Sequence, residues 1–146
     1  MEETLREVRP GLWVGDEESA AILGDDYSLV IDCTGRGPTL GNGKTLPCRP
    51  TGNSNHAWTV ADLNTIVSVV GCRIEAGGTV LIHCSRGASR SACAAAAVLL
   101  WLGEAETVAK ALEKVKAEGR RPNSHSVGGL KKWWEDYTAR MQPSMF

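Results

Sequence analysis

Apolar residues along the chain follow two alternating spacings, and each spacing predicts a different element. Short β-branched apolar runs at residues 29–31 and 80–82 are typical of buried strands. Between them, residues 59–74 carry apolar side chains every three or four positions, which is the spacing of a helix with one buried face. Strands that alternate with helices in this way predict an α/β protein.

Three more helices are predicted after the second of these strands. Residues 92–102 are apolar on every side, which predicts a buried central helix that ends at Gly103. Residues 104–118 are amphipathic, and Gly119 is placed to end that helix. A last helix over residues 127–141 carries aromatic side chains that we expect in the core: Trp133, Trp134 and Tyr137.

The first third of the chain contains shorter elements. Residues 8–15 predict a turn, a short strand and a second turn, and acidic residues from Asp16 onward predict a short helix through Leu23. Residues 35–55 are rich in glycine, proline and polar side chains. We expect this segment to be a loop that contains one short strand at residues 44–48 and borders a functional pocket.

The candidate chemistry lies between the strand at residues 80–82 and the helix at residues 92–102. The chain turns there through small residues with a glycine at the centre, and then enters the helix. Backbone amides that converge in such a loop, together with the positive end of the helix dipole, form a binding site for an anion.

Two side chains indicate that this anion site is also reactive. Cys84 opens the loop, where the helix dipole and the amides stabilise thiolate, the nucleophilic form of cysteine. Arg90 closes the loop, and its planar guanidinium can hold two oxygens of one phosphate, whereas lysine offers only a point charge. A nucleophile and a clamp on one loop predict attack on phosphorus and a cysteinyl-phosphate that water later hydrolyses. His83 is placed to support the loop backbone, and Ser91 to hydrogen-bond the sulfur.

The nine residues from His83 to Ser91 read HCSRGASRS. They resemble the signature of the cysteine-dependent protein tyrosine phosphatases, and above all the small dual-specificity branch, whose loop reads HCxxGxSRS. The resemblance implies the phosphotyrosine phosphatase fold, a twisted central sheet flanked by helices. It also implies a mechanism without a metal or an organic cofactor, in which the loop holds the phosphoryl oxygens through Ser85, Arg86, Gly87, Ala88, Ser89 and Arg90.

Two further segments extend the resemblance to most of the chain. Residues 10–15 read PGLWVG and resemble the segment that precedes the first helix in that family. Residues 121–130 resemble the family's RPxxxPNxGF segment. Arg121, Pro122 and Gly129 match it, Leu130 replaces the phenylalanine, and Ser126 and Val127 stand where proline and asparagine are usual.

The aspartate that serves this family as general acid is missing from its usual loop, because residues 46–57 contain neither aspartate nor glutamate. Three interpretations are open. His56 could donate the proton, because imidazolium is acidic near neutral pH. Asp62 could donate it, although Thr59 and Asp62 are spaced as a helix capping box. Otherwise no residue serves, and the protein is a slow phosphatase or a phosphate-binding pseudophosphatase.

Composition narrows the classes of function. The chain has 146 residues, which predicts a single catalytic domain over residues 1–146. Its net charge of −1 gives no general attraction to nucleic acid or to anionic membranes. No apolar stretch is long enough to cross a bilayer, and the acidic start is unlike a secretory signal. We therefore expect a cytoplasmic protein whose partner is a phosphorylated protein; the oligomeric state is left open.

The five cysteines are odd in number and none are paired as CxxC, which argues against a disulfide framework and against a zinc site. A second thiol near Cys84 could trap the oxidised nucleophile as a reversible disulfide, and Cys33 and Cys48 are the candidates. The sequence thus predicts a phosphatase that acts on phosphotyrosine and, with more difficulty, on phosphoserine or phosphothreonine. A binding module without turnover is the alternative.

Overall fold

The computed structural model describes residues 5–35, 44–53, 57–116 and 122–141. Strands and helices alternate along most of this length, as the apolar spacing predicts. The strands are β1 Arg6–Arg9, β2 Leu12–Gly15, β3 Leu29–Asp32, β4 Thr45–Pro47 and β5 Val80–His83. The helices are α1 Glu17–Leu23, α2 Val60–Glu75, α3 Arg90–Trp101, α4 Val108–Val115 and α5 Ser124–Met141, and a short 3-10 turn, Gly24–Asp26, follows α1.

The five strands form one sheet in the order β1-β2-β5-β3-β4. β5 lies at the centre and runs parallel to its neighbours β2 and β3. Every residue of β5 is buried, which explains why its sequence begins as a continuous apolar run. Residues that follow β5 therefore lie at the middle of the carboxyl edge, where open parallel sheets bind their ligands.

The register of the strands divides their side chains between two faces of the sheet. On one face, Ala20 of α1 and Tyr27 pack against Val30 and Leu81. On the other, larger face, the core is built with α2, α3, α4 and α5. α3 is central to this layer, because every residue from 91 to 100 is buried. Helices therefore flank both faces of the sheet, which confirms the predicted α/β architecture.

The first strand differs from the sequence-based expectation, which placed a turn before a single strand. β1 is mostly charged and lacks an apolar alternation, so its sequence gives no strand signal. It forms as an edge strand, antiparallel to β2, across a turn in which Gly11 has a φ of +88°. Charged residues are common on edge strands because they discourage pairing with other chains.

Two helices begin at different residues from those predicted. α4 begins at Val108 and not at residue 104, because Thr107 caps it by accepting a hydrogen bond from the Lys110 amide. The predicted end of that helix at Gly119 lies outside the described residues. α5 begins at Ser124 and not at residue 127, and the side chain of Asn123 accepts a hydrogen bond from the amide of the second helical residue.

Within the described ranges, no helix has both the length and the apolar character that crossing a bilayer requires. No group of three or more histidine, cysteine, aspartate or glutamate side chains in the same ranges is arranged to hold a metal ion.

Candidate active site

The loop between β5 and α3 is attached to both strands that neighbour β5. On one side, the Cys84 amide donates to the carbonyl of Gly15, the last residue of β2, at 3.4 Å. On the other side, the Cys33 amide donates to the carbonyl of His83 at 2.8 Å, which continues the pairing of β3 with β5. Cys84 thus opens the loop at the carboxyl edge of the sheet, and Arg90 closes it as the first residue of α3.

Gly87 turns the loop at its centre, and only glycine fits there. Its φ of +70° lies in the left-handed region. A Cβ atom at this position would lie 2.7 Å from the carbonyl oxygen of Gly15 and 3.1 Å from the amide nitrogen of Asp16. The central glycine of the motif is therefore required both by its backbone angle and by its contact with the end of β2.

The thiol of Cys84 is buried but is surrounded by hydrogen-bond donors. Its sulfur lies 3.1 Å from the hydroxyl oxygen of Ser91, as predicted, and the backbone N–H groups of Ser91, Ser89 and Gly87 also bond to it. Burial alone raises the pKa of this thiol, but the donors outweigh burial and the pKa of Cys84 is lowered. A larger fraction of Cys84 is therefore thiolate at neutral pH than of an ordinary cysteine.

The guanidinium of Arg90 is held by two contacts, neither of which uses its Nε donor. Nη2 donates to the hydroxyl of Ser85 at 3.2 Å, and Nη1 donates to the carbonyl of Cys33 at 3.4 Å. The Nε–H group is buried and has no hydrogen-bond partner among the residues that the structure describes. Because a buried, charged donor without a partner is costly, an anion bound in the loop would relieve that cost.

A cavity of about 380 Å³ lies over the loop. After the predicted ligand, we call residues 84–90 the phosphate loop and this cavity the phosphate cavity. Most of the described residues that line it are predicted to bind phosphate, and Asn123, which precedes α5, also lines it. These lining residues are Cys84, Ser85, Arg86, Ala88, Ser89, Arg90 and Asn123. Gly87, the remaining residue of the loop, donates a hydrogen bond from its amide to the Cys84 sulfur. The structure therefore brings the predicted site residues of this loop together around one cavity.

His83 is buried behind the loop as a neutral imidazole. Burial lowers its pKa, although the nearby carboxylate of Asp32 opposes this effect. Nε2 lies 3.7 Å from Oδ1 of Asp32. The ring also bonds to the backbone of Cys84, the residue that opens the loop. Asp32 is itself fully buried and accepts from the amide of Thr34 at 2.9 Å. His83 thus contacts the backbone at the start of the loop, and neither His83 nor Asp32 is among the described residues that line the cavity.

The start of α5 contacts the loop through Ser89. The Ser89 hydroxyl accepts from the Asn123 amide at 2.6 Å and donates to the hydroxyl of Ser126 at 3.1 Å. Ser126 is fully buried. The sequence shows Ser126 only as a departure from the family's proline, and this contact was not predicted. A small polar residue on the buried face of a helix is the signal that could have identified it, because a buried hydroxyl needs a partner.

The sequence model of the dual specificity phosphatase catalytic domain matches residues 24–136. The chain belongs to this family. The match confirms the resemblance that the loop motif indicates, and it places the chain among phosphatases. No curated protein sequence matches the chain at a significant level.

Several solved structures share the fold. A single-site variant of human DUSP28 is 26% identical, with a TM-score of 0.78 over 93% of this chain and 97% of that chain. PTPMT1 in complex with PI(5)P is 19% identical, with a TM-score of 0.77 over 96% and 100% of the two chains. A mouse protein complexed with zinc tungstate is 20% identical, with a TM-score of 0.77 over 96% of this chain and 92% of that chain. The last two are similar in fold alone.

Asp62, one of the two candidates for the general acid, takes part in the helix capping box of α2. The Thr59 amide donates to the Asp62 carboxylate at 3.0 Å, and the Asp62 amide donates to the Thr59 hydroxyl at 3.1 Å, which confirms the predicted capping box. The carboxylate also accepts from the amide and hydroxyl of Thr51. Burial alone raises the pKa of Asp62, but these hydrogen bonds outweigh it and the pKa is lowered, which disfavours Asp62 as a proton donor. His56 lies outside the described residues.

Asp62 also faces a different cavity, of about 290 Å³. Its lining includes Cys48, Arg49 and Thr51, and it does not include Cys84 or Arg90. The loop predicted over residues 35–55 does contain the expected strand, β4, but the described part that follows this strand lines the second cavity and not the phosphate cavity. Residues 36–43 and 54–56 of this loop lie outside the described residues, so the expectation that the loop borders the phosphate cavity stays a prediction.

The strand order distinguishes between the two thiols that could trap an oxidised Cys84. Asp32 pairs with His83, so Cys33 and Cys84 follow side by side on neighbouring strands. Their Cα atoms are then about 4.8 Å apart, inside the range of about 4.4–6.8 Å that disulfides span. Cys48 follows β4, one strand further from β5, at about twice that separation. Cys33 is therefore the candidate that geometry supports.

We expect hydrogen peroxide to convert Cys84 to a sulfenic acid that the Cys33 thiol then attacks, forming a disulfide with release of water. The step should be slow, because burial and the neighbouring Cys84 raise the pKa of Cys33 well above its ordinary value and keep it protonated. Peptide mapping under non-reducing conditions should find the Cys33–Cys84 peptide. In excess peroxide, the Cys84 sulfenic acid of Cys33→Ser has no thiol to trap it and should oxidise further to sulfinic acid, so dithiothreitol should no longer recover activity, while Cys48→Ser keeps this recovery. Full recovery in Cys33→Ser would contradict the prediction.

Proposed function

We propose that the protein hydrolyses phosphate monoesters, and phosphotyrosine in proteins above all, through a covalent intermediate on Cys84. One observation carries this proposal: a buried cysteine whose pKa is lowered shares a cavity with a guanidinium that has an unused, buried donor. A thiolate beside a clamp for an oxyanion is what nucleophilic attack on phosphorus requires. The lowered pKa is needed because only thiolate attacks at a useful rate.

The proposed reaction has two steps. The Cys84 sulfur attacks phosphorus as the bond to the leaving oxygen breaks, while Arg90 and the loop amides hold the other phosphoryl oxygens. Water then attacks the phosphorus of the cysteinyl-phosphate, and the sulfur–phosphorus bond breaks. The Ser91 hydroxyl, 3.1 Å from the sulfur, donates a hydrogen bond to the departing thiolate in this second step. No metal and no organic cofactor takes part in either step.

The leaving group supports phosphotyrosine as the substrate. A phenolate leaves more easily than a serine or threonine alkoxide, so its departure depends less on a general acid. This matters because residues 46–57, before α2, contain no carboxylate that could act as one. The near-neutral charge of the chain favours neither nucleic acid nor an anionic membrane as a partner. We place the protein, as one catalytic domain, in the cytoplasm, where a reducing environment preserves the thiolate.

The test is turnover of aryl phosphates in the presence of a metal chelator. We expect strong dependence of kcat/KM on the pKa of the leaving phenol, because without a proton donor the departing oxygen carries its full charge. A working acid would contribute about 10²–10⁴-fold and would flatten this dependence. His56→Ala and Asp62→Asn separate the candidates. A steep slope that is the same in both variants supports the acid-free reaction; a shallow wild-type slope that becomes steep in one variant identifies the acid.

The pH profile of kcat/KM follows from the same groups. Thiolate forms as pH rises through the pKa of Cys84, so the rate should rise with pH, and this limb should lie below the ordinary thiol range because that pKa is lowered. No falling limb of a carboxylic acid should follow at about pH 5–6, whereas a limb nearer pH 7 would indicate His56.

A binding module is the second candidate, favoured by the missing carboxylate and by the lowered pKa of Asp62. Such a protein would bind tungstate or a phosphotyrosine peptide through the same loop and would hydrolyse no aryl phosphate. A third possibility, a phosphoinositide phosphatase, is tested by comparing the hydrolysis of a short-chain phosphoinositide with that of the phosphopeptide. A preference for the lipid headgroup over the peptide would overturn the proposed substrate.

A further inference from the structure

The outer side of the phosphate loop is bound by a residue of the edge strand. Arg6 of β1 donates from Nη2 to the carbonyl of Gly87 at 2.9 Å. The same Nη2 donates to the carbonyl of Val115 at 2.6 Å, and Nε donates to that carbonyl at 2.9 Å. One guanidinium therefore joins the loop to the last residue of α4.

The end of α4 fixes where this guanidinium lies. Val115 ends the helix, and carbonyls in the last turn have no partner within their own helix. They also form the negative end of the helix dipole, which attracts a cation. Arg6 is half-buried here, and the planar fork limits the directions in which its N–H groups can point. The contact with Gly87 is thus made by a group with little freedom of its own.

The contact with Gly87 determines how the next amide is oriented. No cis peptide occurs in the described residues, and in a trans peptide the C=O and the N–H point in opposite directions. With the Gly87 carbonyl directed to Arg6, the Ala88 amide is directed to the other side. Ala88 lines the phosphate cavity. The carbonyl that Arg6 binds and the amide of the cavity-lining residue Ala88 therefore belong to one peptide group.

This peptide group needs external support. Gly87 has a φ of +70° and no side chain, so its own conformational preferences leave the peptide free to rotate. A carbonyl turned into the cavity would repel a phosphoryl oxygen, whereas an amide there binds one.

We infer that Arg6 is a positioning residue of the phosphate loop, which holds the Gly87 carbonyl outward and so keeps the Ala88 amide directed at the bound oxyanion. This rests on the proposed function in one respect, that the loop binds the phosphoryl group. Arg6 is not among the described residues that line the phosphate cavity, and it acts through the loop backbone.

Arg9 provides a matched control on the same strand. Its guanidinium also forms a two-point contact, with the carboxylate of Glu104 at 2.9 and 2.6 Å, and it is part-buried like Arg6. It therefore ties β1 to the segment after α3 without contacting the phosphate loop. Arg6→Met and Arg9→Met each remove one arginine contact from β1, and only the first changes the support of Gly87.

Tungstate binding by calorimetry tests the inference on folded protein. We expect Arg6→Met to raise the Kd for tungstate about tenfold, less than the roughly 10²–10³-fold effect of losing a complete oxyanion donor, while Arg9→Met stays within about twofold of wild type. Equal affinity in Arg6→Met and wild type, or an equal loss in Arg9→Met, would overturn the inference. If Arg6→Met does not fold, Arg6→Lys takes its place, because lysine keeps the charge but not the fork. Arg6→Lys should still bind at least about threefold more weakly, and wild-type affinity there would also overturn the inference.

The rate of Cys84 alkylation by iodoacetamide against pH gives a second readout that a merely structural role would not change. A loosened loop aligns the Gly87 amide less well with the sulfur, so the midpoint should move to higher pH in Arg6→Met and not in Arg9→Met. Neither readout requires turnover. Wild-type protein that binds tungstate but hydrolyses no phosphate ester would contradict the proposed function and leave the test of Arg6 intact.

Discussion

Cys84→Ser should abolish hydrolysis of aryl phosphates while the protein still binds oxyanions. A serine hydroxyl is not ionised by the donors that stabilise the thiolate, so the attack on phosphorus is lost. The loss should be on the order of 10⁴-fold or more, because removing the nucleophile of covalent hydrolases costs about 10⁶-fold. The loop amides and Arg90 do not depend on the sulfur, and tungstate affinity measured by calorimetry should therefore stay at the wild-type value or improve.

Cys72→Ser is the control for this result. Cys72 lies exposed on α2, away from the phosphate cavity, so its loss should leave kcat/KM unchanged. A Cys84→Ser protein with most of the wild-type activity would show that the covalent mechanism is wrong. A variant that loses turnover and oxyanion binding together would show that the sulfur shapes the loop and does not only attack.

The phosphate loop could be predicted from the sequence because its geometry is local. The strand, the turn and the helix start that build it are consecutive, so the sequence places Cys84, Arg90 and Ser91 on one loop without reference to distant parts of the chain. The apolar run before the loop and the alanine-rich helix after it are signals of the same kind. The capping box of α2 was predicted for the same reason, since Thr59 and Asp62 are neighbours on one helical turn.

Contacts that support the loop from outside could not be predicted, because they join residues far apart in the chain. Arg6 meets Gly87 across 81 positions, and Ser89 meets Ser126 across 37. For neither pair does the spacing along the sequence indicate that the two residues are in contact. β1 was missed for a related reason: its pairing with β2 and its arginine contacts stabilise it, while its own residues show no apolar alternation.

The start of α4 shows how a local signal can be overridden. Amphipathic spacing continues back to residue 104, so the pattern alone predicts a longer helix. Two contacts decide otherwise. Glu104 binds Arg9 of the edge strand, and Thr107 accepts from the Lys110 amide, which is the geometry of a helix cap. The helix begins where its first free amides find a partner, and not where its apolar spacing begins.

Arg90→Lys should lose most activity although the charge is kept. The guanidinium uses Nη2 and Nη1 on Ser85 and on the carbonyl of Cys33, and these contacts set its plane so that the Nε–H is left for an oxyanion. A lysine ammonium can replace the charge, but it cannot hold both contacts and bind the flat face of the phosphoryl group. We expect kcat/KM to fall by about 10²–10³-fold, as for the loss of one donor to a transition-state oxyanion.

The effect should appear mainly in kcat, because the clamp bonds most strongly to the phosphoryl group as it becomes planar between the leaving oxygen and the sulfur. Arg73→Lys is the matched control: Arg73 donates to the carbonyl of Ser28 beside a separate cavity, and its replacement should leave kcat and KM at wild-type values. An Arg90→Lys protein within about threefold of wild type would show that positive charge alone suffices. The Nε donor would then take no part in the chemistry, and the loop amides would be the groups that bind the phosphoryl oxygens.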